Sequence, residues 1–355
     1  MKVAVINDTH WGARGDNVAF ADHFIKFYRE IFFPKLREEG IKTIFHLGDV
    51  CDRRKYINFV TAKNLEDNFM RVCAEEGIDI YLVAGNHDTF YKNTNEVNCL
   101  KQLYGNSSYS NIHIYWEKPV ELDMDGCKVL LSPWLCSDNW EKSFEVYKET
   151  DAQIVFGHFE FQGFEMMKGQ LSDHGLDRVV FNKFDSVYSG HFHHPSTIDN
   201  ITYLGAPYEM NWSDYDQKRG FSIFDTEDRS ITHVVNPLKM FHKIMYDDTE
   251  MTLEDVGLLD VSGLSNTFVK VIVKSKLNPY IFDLFLDRIQ SSDPCDIKVV
   301  EDHMNLDIID ENELVDEAQD TLTILRQYVQ NLEISADKVK VEKVLKELHD
   351  EAINL

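Results

Sequence analysis

Short apolar runs closed by glycine or by a polar cluster recur along the first two thirds of this chain. Residues 2–7 run into Asp8-Thr9-His10, residues 43–47 into Gly48-Asp49, and residues 80–84 into Gly85-Asn86-His87-Asp88. Runs this short, rich in β-branched and aromatic side chains, predict buried strands. Helical spacing lies between them. Phe20, Phe24, Phe27, Ile31 and Leu36 share one face before a stop at Gly40, and a second helix is predicted over 59–76, stopped by Gly77. The resulting β-α-β-α-β order predicts parallel pairing with right-handed crossovers.

From residue 111 the pattern tightens to strands over 112–116, 120–122 and 128–131, with Asp125-Gly126 as a hairpin signal. A short helix is predicted over 140–148. Strands over 153–156 and 186–189 run into Gly157-His158 and Gly190-His191-Phe192-His193, and further strands fit 201–204, 220–225 and 231–235. Together these predict two sheets in a sandwich with helices outside, reaching to about residue 237. Residues 238–300 are expected to form a smaller α+β module, with a strand over 267–273 and a helix over 279–289. Residues 301–320 are dominated by Asp and Glu and read as a solvated linker. In 321–355, Leu322, Leu325, Val329 and Leu332, then Val339, Val341, Val344, Leu345 and Leu348, fall at helical spacing. Two such amphipathic helices either fold back on their own domain or bind a partner.

Composition narrows the class. The 355 residues suffice for one large domain and one or two small ones, and 43% hydrophobic with 27% charged residues is ordinary for a globular protein. The start of the chain leads straight into a strand without a signal-peptide pattern, and no apolar stretch approaches membrane-span length. The six cysteines form no C-x-x-C pair and read as free thiols in a reducing compartment, so a cytoplasmic location is expected. Sixty-one acidic against thirty-six basic residues give a net charge of −25. That argues against binding nucleic acid through overall charge; bound cations, a local basic patch or a basic partner would have to supply the attraction.

The strand ends collect Asp8, His10, Asp49, Asn86, His87, His158, His191 and His193. Carboxylates, imidazoles and one carboxamide suit borderline divalent ions such as Mn²⁺, Fe²⁺ or Zn²⁺. Eight candidates exceed the needs of one ion, and a two-ion centre can clamp both the attacking and leaving oxygens of an in-line phosphoryl displacement. Asp49, on the central strand of the first three, is the expected bridge. Each motif alone also has a bland reading as a cap, a turn or a satisfied buried histidine; five together, in this order, do not.

The series Asp8-x-His10, Gly48-Asp49-x-x-Asp52, Gly85-Asn86-His87-Asp88, Gly157-His158 and Gly190-His191-x-His193 resembles the calcineurin-like binuclear metallophosphoesterase superfamily. Within it the chain is similar to the SbcD-type DNA double-strand-break repair nucleases and to their T4-like phage form, the nuclease subunits of a recombination endonuclease. Ser132-Pro133-Trp134, His174-Gly175-Leu176 and Arg219-Gly220-Phe221 add to the likeness, which covers residues 1 to about 237. The resemblance implies an α/β (α+β) fold: a four-layer metallophosphoesterase β-sandwich flanked by helices, then a small α+β capping domain and a C-terminal helical tail. It implies two divalent ions, Mn²⁺ with Mg²⁺ as the alternative, one held by Asp8, His10, Asp49 and His193 and the other by Asp49, Asn86, His158 and His191. His87 would stabilise developing charge or protonate the leaving oxygen, with Asp88 orienting its ring. Asp52 stands where cellular members often carry His, so it either alters exonuclease action or orients a ligand; His174 is a further candidate for supporting a ligand from behind.

By the same resemblance the substrate is double-stranded DNA ends. The partners are an SbcC-type ABC ATPase gripped by the C-terminal helices and a second copy bound through helices of the nuclease domain. Arg14, Arg53, Arg54, Lys55, Lys168 and Arg219 are candidate DNA contacts near the motifs. Two readings compete: a small-molecule or protein phosphoesterase of the same superfamily, and a DNA-end-tethering scaffold with an idle site. Protein phosphatases carry Asp-Arg-Gly where this chain has Asp52-Arg53-Arg54, and a scaffold would not need the full ligand set and His87.

Overall fold

In the first strand, β1 (Lys2–Ile6), Val3 and Val5 face one layer of core and Ala4 and Ile6 another, so both faces are buried and the run is continuously apolar. The computed structural model describes residues 1–167 and 170–301, together with Lys340, Val341 and Val344. Strands β2 (Thr43–His46), β3 (Asp79–Val83) and β4 (Ile112–Tyr115) continue the first sheet, all parallel to β1. The second sheet begins with β5 (Val120–Met124) and β6 (Cys127–Ser132), joined through Asp125-Gly126, both at positive φ as a tight hairpin turn requires. Next come β7 (Ile154–His158), a two-strand ribbon of β8 (Glu165–Met167) and β9 (Gln170–Leu171), and β10 (Ser186–Gly190). Strands β11 (Ser196–Ile198) and β12 (Ile201–Tyr203) finish the second sheet; β13 (Gly220–Asp225) and β14 (Ile231–Val235) return to the first.

The sheet orders are β14-β13-β1-β2-β3-β4 and β11-β12-β10-β7-β6-β5. Val3, Val5, Phe45, Leu47 and Val83 of the first sheet meet Val129, Leu131, Ile154 and Phe156 of the second in a shared buried layer. Helices cover the outer faces. One runs Val18–Phe27, a π-turn Tyr28–Phe32 and Phe33–Glu39, ending at Gly40 in the left-handed region; the next runs Phe59–Leu65, Glu66–Met70 and Arg71–Glu75. Both pack Phe24, Phe27, Leu65 and Phe69 onto the first sheet, and Trp140–Glu149 packs Tyr147 onto the second. The helix-sheet-sheet-helix order is the four-layer sandwich that the periodicity predicts.

The smaller module is a parallel sheet of β15 (Phe241–Asp247), β16 (Phe268–Ser275) and β17 (Asp296–Val300), with Leu253–Leu258 and Pro279–Gln290 packed on one face. β15 and β17 were not legible because their residue types do not follow their burial: apolar Met245 is exposed between Ile244 and Tyr246 in β15, and β17 offers only Ile297, Val299 and Val300, none fully buried, whereas β16 alternates cleanly. Phe241 and Phe268 pack at a tilt against Phe20, 6.1 and 5.4 Å between ring centroids, and seat this sheet against the long helix. No helix among the described residues is long and apolar enough to cross a membrane. Lys168, residues 302–320 of the acidic stretch and nearly all of the tail lie outside the described residues.

Candidate metal centre

Five strand ends converge because glycine removes side chains that would keep them apart. A Cβ on Gly48 would lie 2.7 Å from Gly85 Cα, and one on Gly85 would lie 2.3 Å from the Asp49 nitrogen. The N–H groups of Asp8 and His10 donate to the carbonyls of Gly48 (3.0 Å) and Asp49 (3.1 Å), locking the first loop to the second. Asp8, His10, Asp49 and His191 all have positive φ, at 50°, 41°, 53° and 93°. For residues other than glycine that is strained backbone, and strain of this kind gathers where side chains must be aimed.

The eight strand-end residues form one cluster, buried except for the partly exposed His191 and His193. His10 Nε2 and His193 Nε2 face each other at 3.1 Å, and Asp8 lies in ligand range of both. His158 Nε2 and His191 Nδ1 converge on Asn86 Oδ1 at 2.9 and 3.0 Å, with Asp49 Oδ2 3.4 Å from His158 Nε2. Asp49 belongs to both groupings, since its Oδ2 is also 3.8 Å from His10 Nε2. The outward ring nitrogens are tied down: His158 Nδ1 donates to the Leu47 carbonyl (2.7 Å), and His10 Nδ1 lies 3.3 Å from Asp52 Oδ1. Fixing one nitrogen leaves the other aimed inward, which is how metal-binding imidazoles are held. Two imidazole nitrogens pointing at one another beside a carboxylate fit a divalent cation between them. Among the described residues the donor set contains oxygen and nitrogen only and suits a borderline divalent metal.

Electrostatics agree. Burial alone would keep His10 neutral, but the Asp52, Asp49 and Asp8 carboxylates outweigh it and raise it to about 10. His158 is likewise raised to about 9, against burial, by Asp49 and Asp8. Burial and the neighbouring imidazoles hold His191 and His193 well below the usual histidine range. Asp49 is held well below the usual carboxylate range: its burial is overridden by His158, His87 and His10. Without metal the cluster stores protons that a cation would displace.

His87 enters from the same loop, its N–H donating to Asp49 Oδ1 (2.8 Å) and its ring edge-on to His10 at 4.9 Å. Its Nδ1 bonds the carbonyl of Asp52 at 2.6 Å. That corrects the expectation for Asp88. Its carboxylate is fully buried and turned back beneath the loops, where it accepts the N–H groups of Val50 and Cys51 (3.0 Å each) and of Gly85 (2.9 Å). Asp88 therefore staples the second loop to the third and does not orient the His87 ring. Asp52 serves two residues, holding His87 through its backbone and His10 through its side chain.

The other candidates separate. Arg219 is only 3% exposed and is spent on Asp214 (2.5 Å), Gln217 and the His193 carbonyl, so it buttresses a ligand loop and cannot reach DNA. His174 lies on the surface between Glu160 and Asp173 and is not brought to the cluster. Arg14 donates to the Met210 carbonyl (2.7 Å), Arg53 pairs with Asp16 (2.8 Å), and Lys55 is exposed. Two contributors went unread. Asn7, the last polar position of the first run, donates to Asp8 Oδ2 (2.6 Å) and the Gly205 carbonyl. Trp134 lies over His191 and His158, with centroids 5.1 and 5.9 Å apart.

This fold and this cluster define a class. A model of the calcineurin-like phosphoesterases matches residues 1–195, more than half of the chain, and the chain belongs to that family. It is 30% identical over 330 residues to exonuclease subunit 1 of Enterobacteria phage T4, covering 93% of this chain and 92% of that one. It is also 24% identical over 247 residues to a subunit of the nuclease SbcCD from Staphylococcus saprophyticus, covering 60% of this chain and 62% of the relative. The family uses divalent metals, and the His and Asp groups of the cluster could hold such ions.

Proposed function

We propose that this chain is the nuclease subunit of a DNA-end-processing assembly, hydrolysing phosphodiester bonds with Mn²⁺. The observation that carries the reading is Asp49, one buried carboxylate shared by two convergent ligand sets, in a chain similar to two nuclease subunits along most of its catalytic region. Asp8, His10, Asp49 and His193 would hold one ion; Asp49, Asn86, His158 and His191 would hold the other. Two bound divalent ions supply a nucleophile at neutral pH and neutralise charge gathering on the phosphate. His87, its Nδ1 fixed by the Asp52 carbonyl, presents Nε2 toward the cluster and delivers a proton to the departing sugar oxygen. Asp52 and Leu47 fix the ligand rings, and Asp88 fixes the loops.

Residues 1–237 would be the nuclease domain, 238–300 a capping domain that adds DNA contacts, 301–320 an acidic linker and 321–355 a tail that grips an SbcC-type ATPase. A basic DNA track on that ATPase would offset the net charge of −25, and two copies of the chain would pair through helices of the nuclease domain. Mn²⁺- or Mg²⁺-dependent cleavage of linear duplex DNA, compared with His87→Ala, tests the reading. The variant should lose about 10²–10⁴-fold in rate while keeping its metal. Hydrolysis of an aryl phosphodiester with DNA left intact, even with the ATPase present, would overturn it in favour of a phosphatase. Truncation after residue 320 should abolish ATPase binding and spare aryl diester hydrolysis.

A further inference from the structure

Four of the five tryptophans serve packing. Trp11 packs against Tyr28, Trp140 against Phe144 and Trp212 against Phe241, and Trp116 lies beneath the Lys101 ammonium. Trp134 lies instead against the metal cluster, its ring tilted 45° to His191 and 67° to His158. Its main chain is clamped. The N–H donates to the Ala84 carbonyl (2.8 Å), next to Gly85-Asn86-His87, and its carbonyl accepts the side-chain N–H groups of Asn95 (2.7 Å) and Asn139 (3.0 Å). Both asparagines are 3% exposed, so two buried amides are committed to the position of one residue. The indole so fixed stays partly exposed, and among the described residues no acceptor meets its N–H and no further ring covers it. His191 and His193 are the partly exposed members of the cluster, so this ring borders the side on which a phosphate must enter. A rigid amphipathic ring held at the rim with one end wet is built for contact with a ligand.

We propose that Trp134 stacks on a nucleobase adjoining the phosphate under attack, and so sets a preference for nucleic acid over other phosphodiesters. This rests on the nuclease reading above. A phosphate held at the ligand set brings its sugar to the rim and the attached base one sugar further out, beside the indole. Stacking asks only for a π-face, so it accepts any base, as the processing of arbitrary DNA ends requires. It is also indifferent to the net charge of −25, which works against a polyanion. Trp134 transfers no proton and holds no ion; it binds and orients the nucleotide.

The full-length protein with Mn²⁺ is assayed as wild type, Trp134→Ala and Trp134→Phe on oligothymidylate and on the same backbone carrying abasic sugars throughout. Wild type should favour the strand with bases by about 5–150-fold in kcat/KM, mostly through KM. Trp134→Ala should lose that preference, falling on oligothymidylate to the abasic level while its rate on the abasic strand, its Mn²⁺ stoichiometry and its Tm stay as in wild type. Trp134→Phe should keep most of the preference. Oligothymidylate should also quench the tryptophan emission of wild type, the abasic strand should not, and Trp134→Phe should show no such quenching. An equal loss on both strands, accompanied by loss of Mn²⁺, would make Trp134 only a wall behind His191 and His158 and overturn the proposal. So would a wild type that cuts both strands equally well. DNA cleavage that ignores Trp134 sinks this proposal alone; hydrolysis of an aryl phosphodiester with every DNA strand left intact sinks the nuclease reading and the proposal with it.

Discussion

Gly85→Ala is the most economical way to break the centre without touching a ligand. A Cβ at this position would lie 2.2 Å from Asp49 Oδ1, 2.3 Å from its nitrogen and 2.9 Å from Cγ. Against an ordinary contact of about 3.4 Å, the new methyl is short by roughly 1.2 Å. Asp49 cannot rotate away. Its Oδ1 accepts the His87 N–H at 2.8 Å, its carbonyl accepts the His10 N–H at 3.1 Å, and it is 1% exposed. The overlap must therefore move the loop carrying Asn86 and His87 relative to the shared carboxylate. A misplacement of about 1 Å costs on the order of 10²-fold in rate, and overpacking of this kind costs about 1–3 kcal/mol of stability. The assay is kcat/KM on bis(p-nitrophenyl) phosphate and duplex DNA, with Mn²⁺ stoichiometry from calorimetric titration. Gly40→Ala is the control. Its φ of +65° makes it mildly strained too, but nothing lies within 4 Å, so it should lose about 1 kcal/mol and no activity. A Gly85→Ala protein with wild-type rate and full metal loading would refute the packing argument.

Asp88→Ala should orphan three buried N–H groups, at about 1–3 kcal/mol each before relaxation, and lower the denaturation midpoint without moving the pH optimum of kcat; a shifted optimum at unchanged stability would return Asp88 to ring orientation. Asp52→Ala should weaken metal binding by about 10–100-fold, recoverable with excess Mn²⁺, because His10 loses the carboxylate 3.3 Å from Nδ1. Binding of metal at pH 7 should release about two protons, those on His10 (about 10) and His158 (about 9), since His191 and His193 are already neutral. Calorimetry in two buffers of different ionisation enthalpy measures the number, and zero would contradict the stored charge. Both folded-state values lie above the unfolded histidine value of about 6.5, so their stabilisation is complete below that pH and is lost as pH rises through 9 to 10. The metal-free protein should thus lose Tm across that window, and bound metal should offset the loss.

Much of this protein is written locally. Strands sandwiched between a helix layer on one face and the facing sheet on the other are buried on both faces, so β1, β2, β3, β7 and β10 announce themselves as short, largely apolar runs, and the functional polar side chains gather where each run ends. That is why Asp8, Asp49, Asn86, His158 and His191 could be picked out by position, and why their order resembles one family. Glycine at Gly48 and Gly85 was legible as a stop; that the two glycines touch was not. What a polar group does once delivered depends on which distant loop it meets, and no local pattern encodes that. Asp88 and His87 are neighbours in sequence, yet one serves buried backbone and the other faces the cluster. Arg219 looked like a DNA contact until the fold paired it with Asp214, and Arg54 looked like its equal until the fold sealed one of its guanidinium nitrogens from solvent. The His191 N–H that holds Asp8 comes from 183 residues away. Periodicity specifies the elements and their ends; only the meeting of those ends assigns each donor its acceptor.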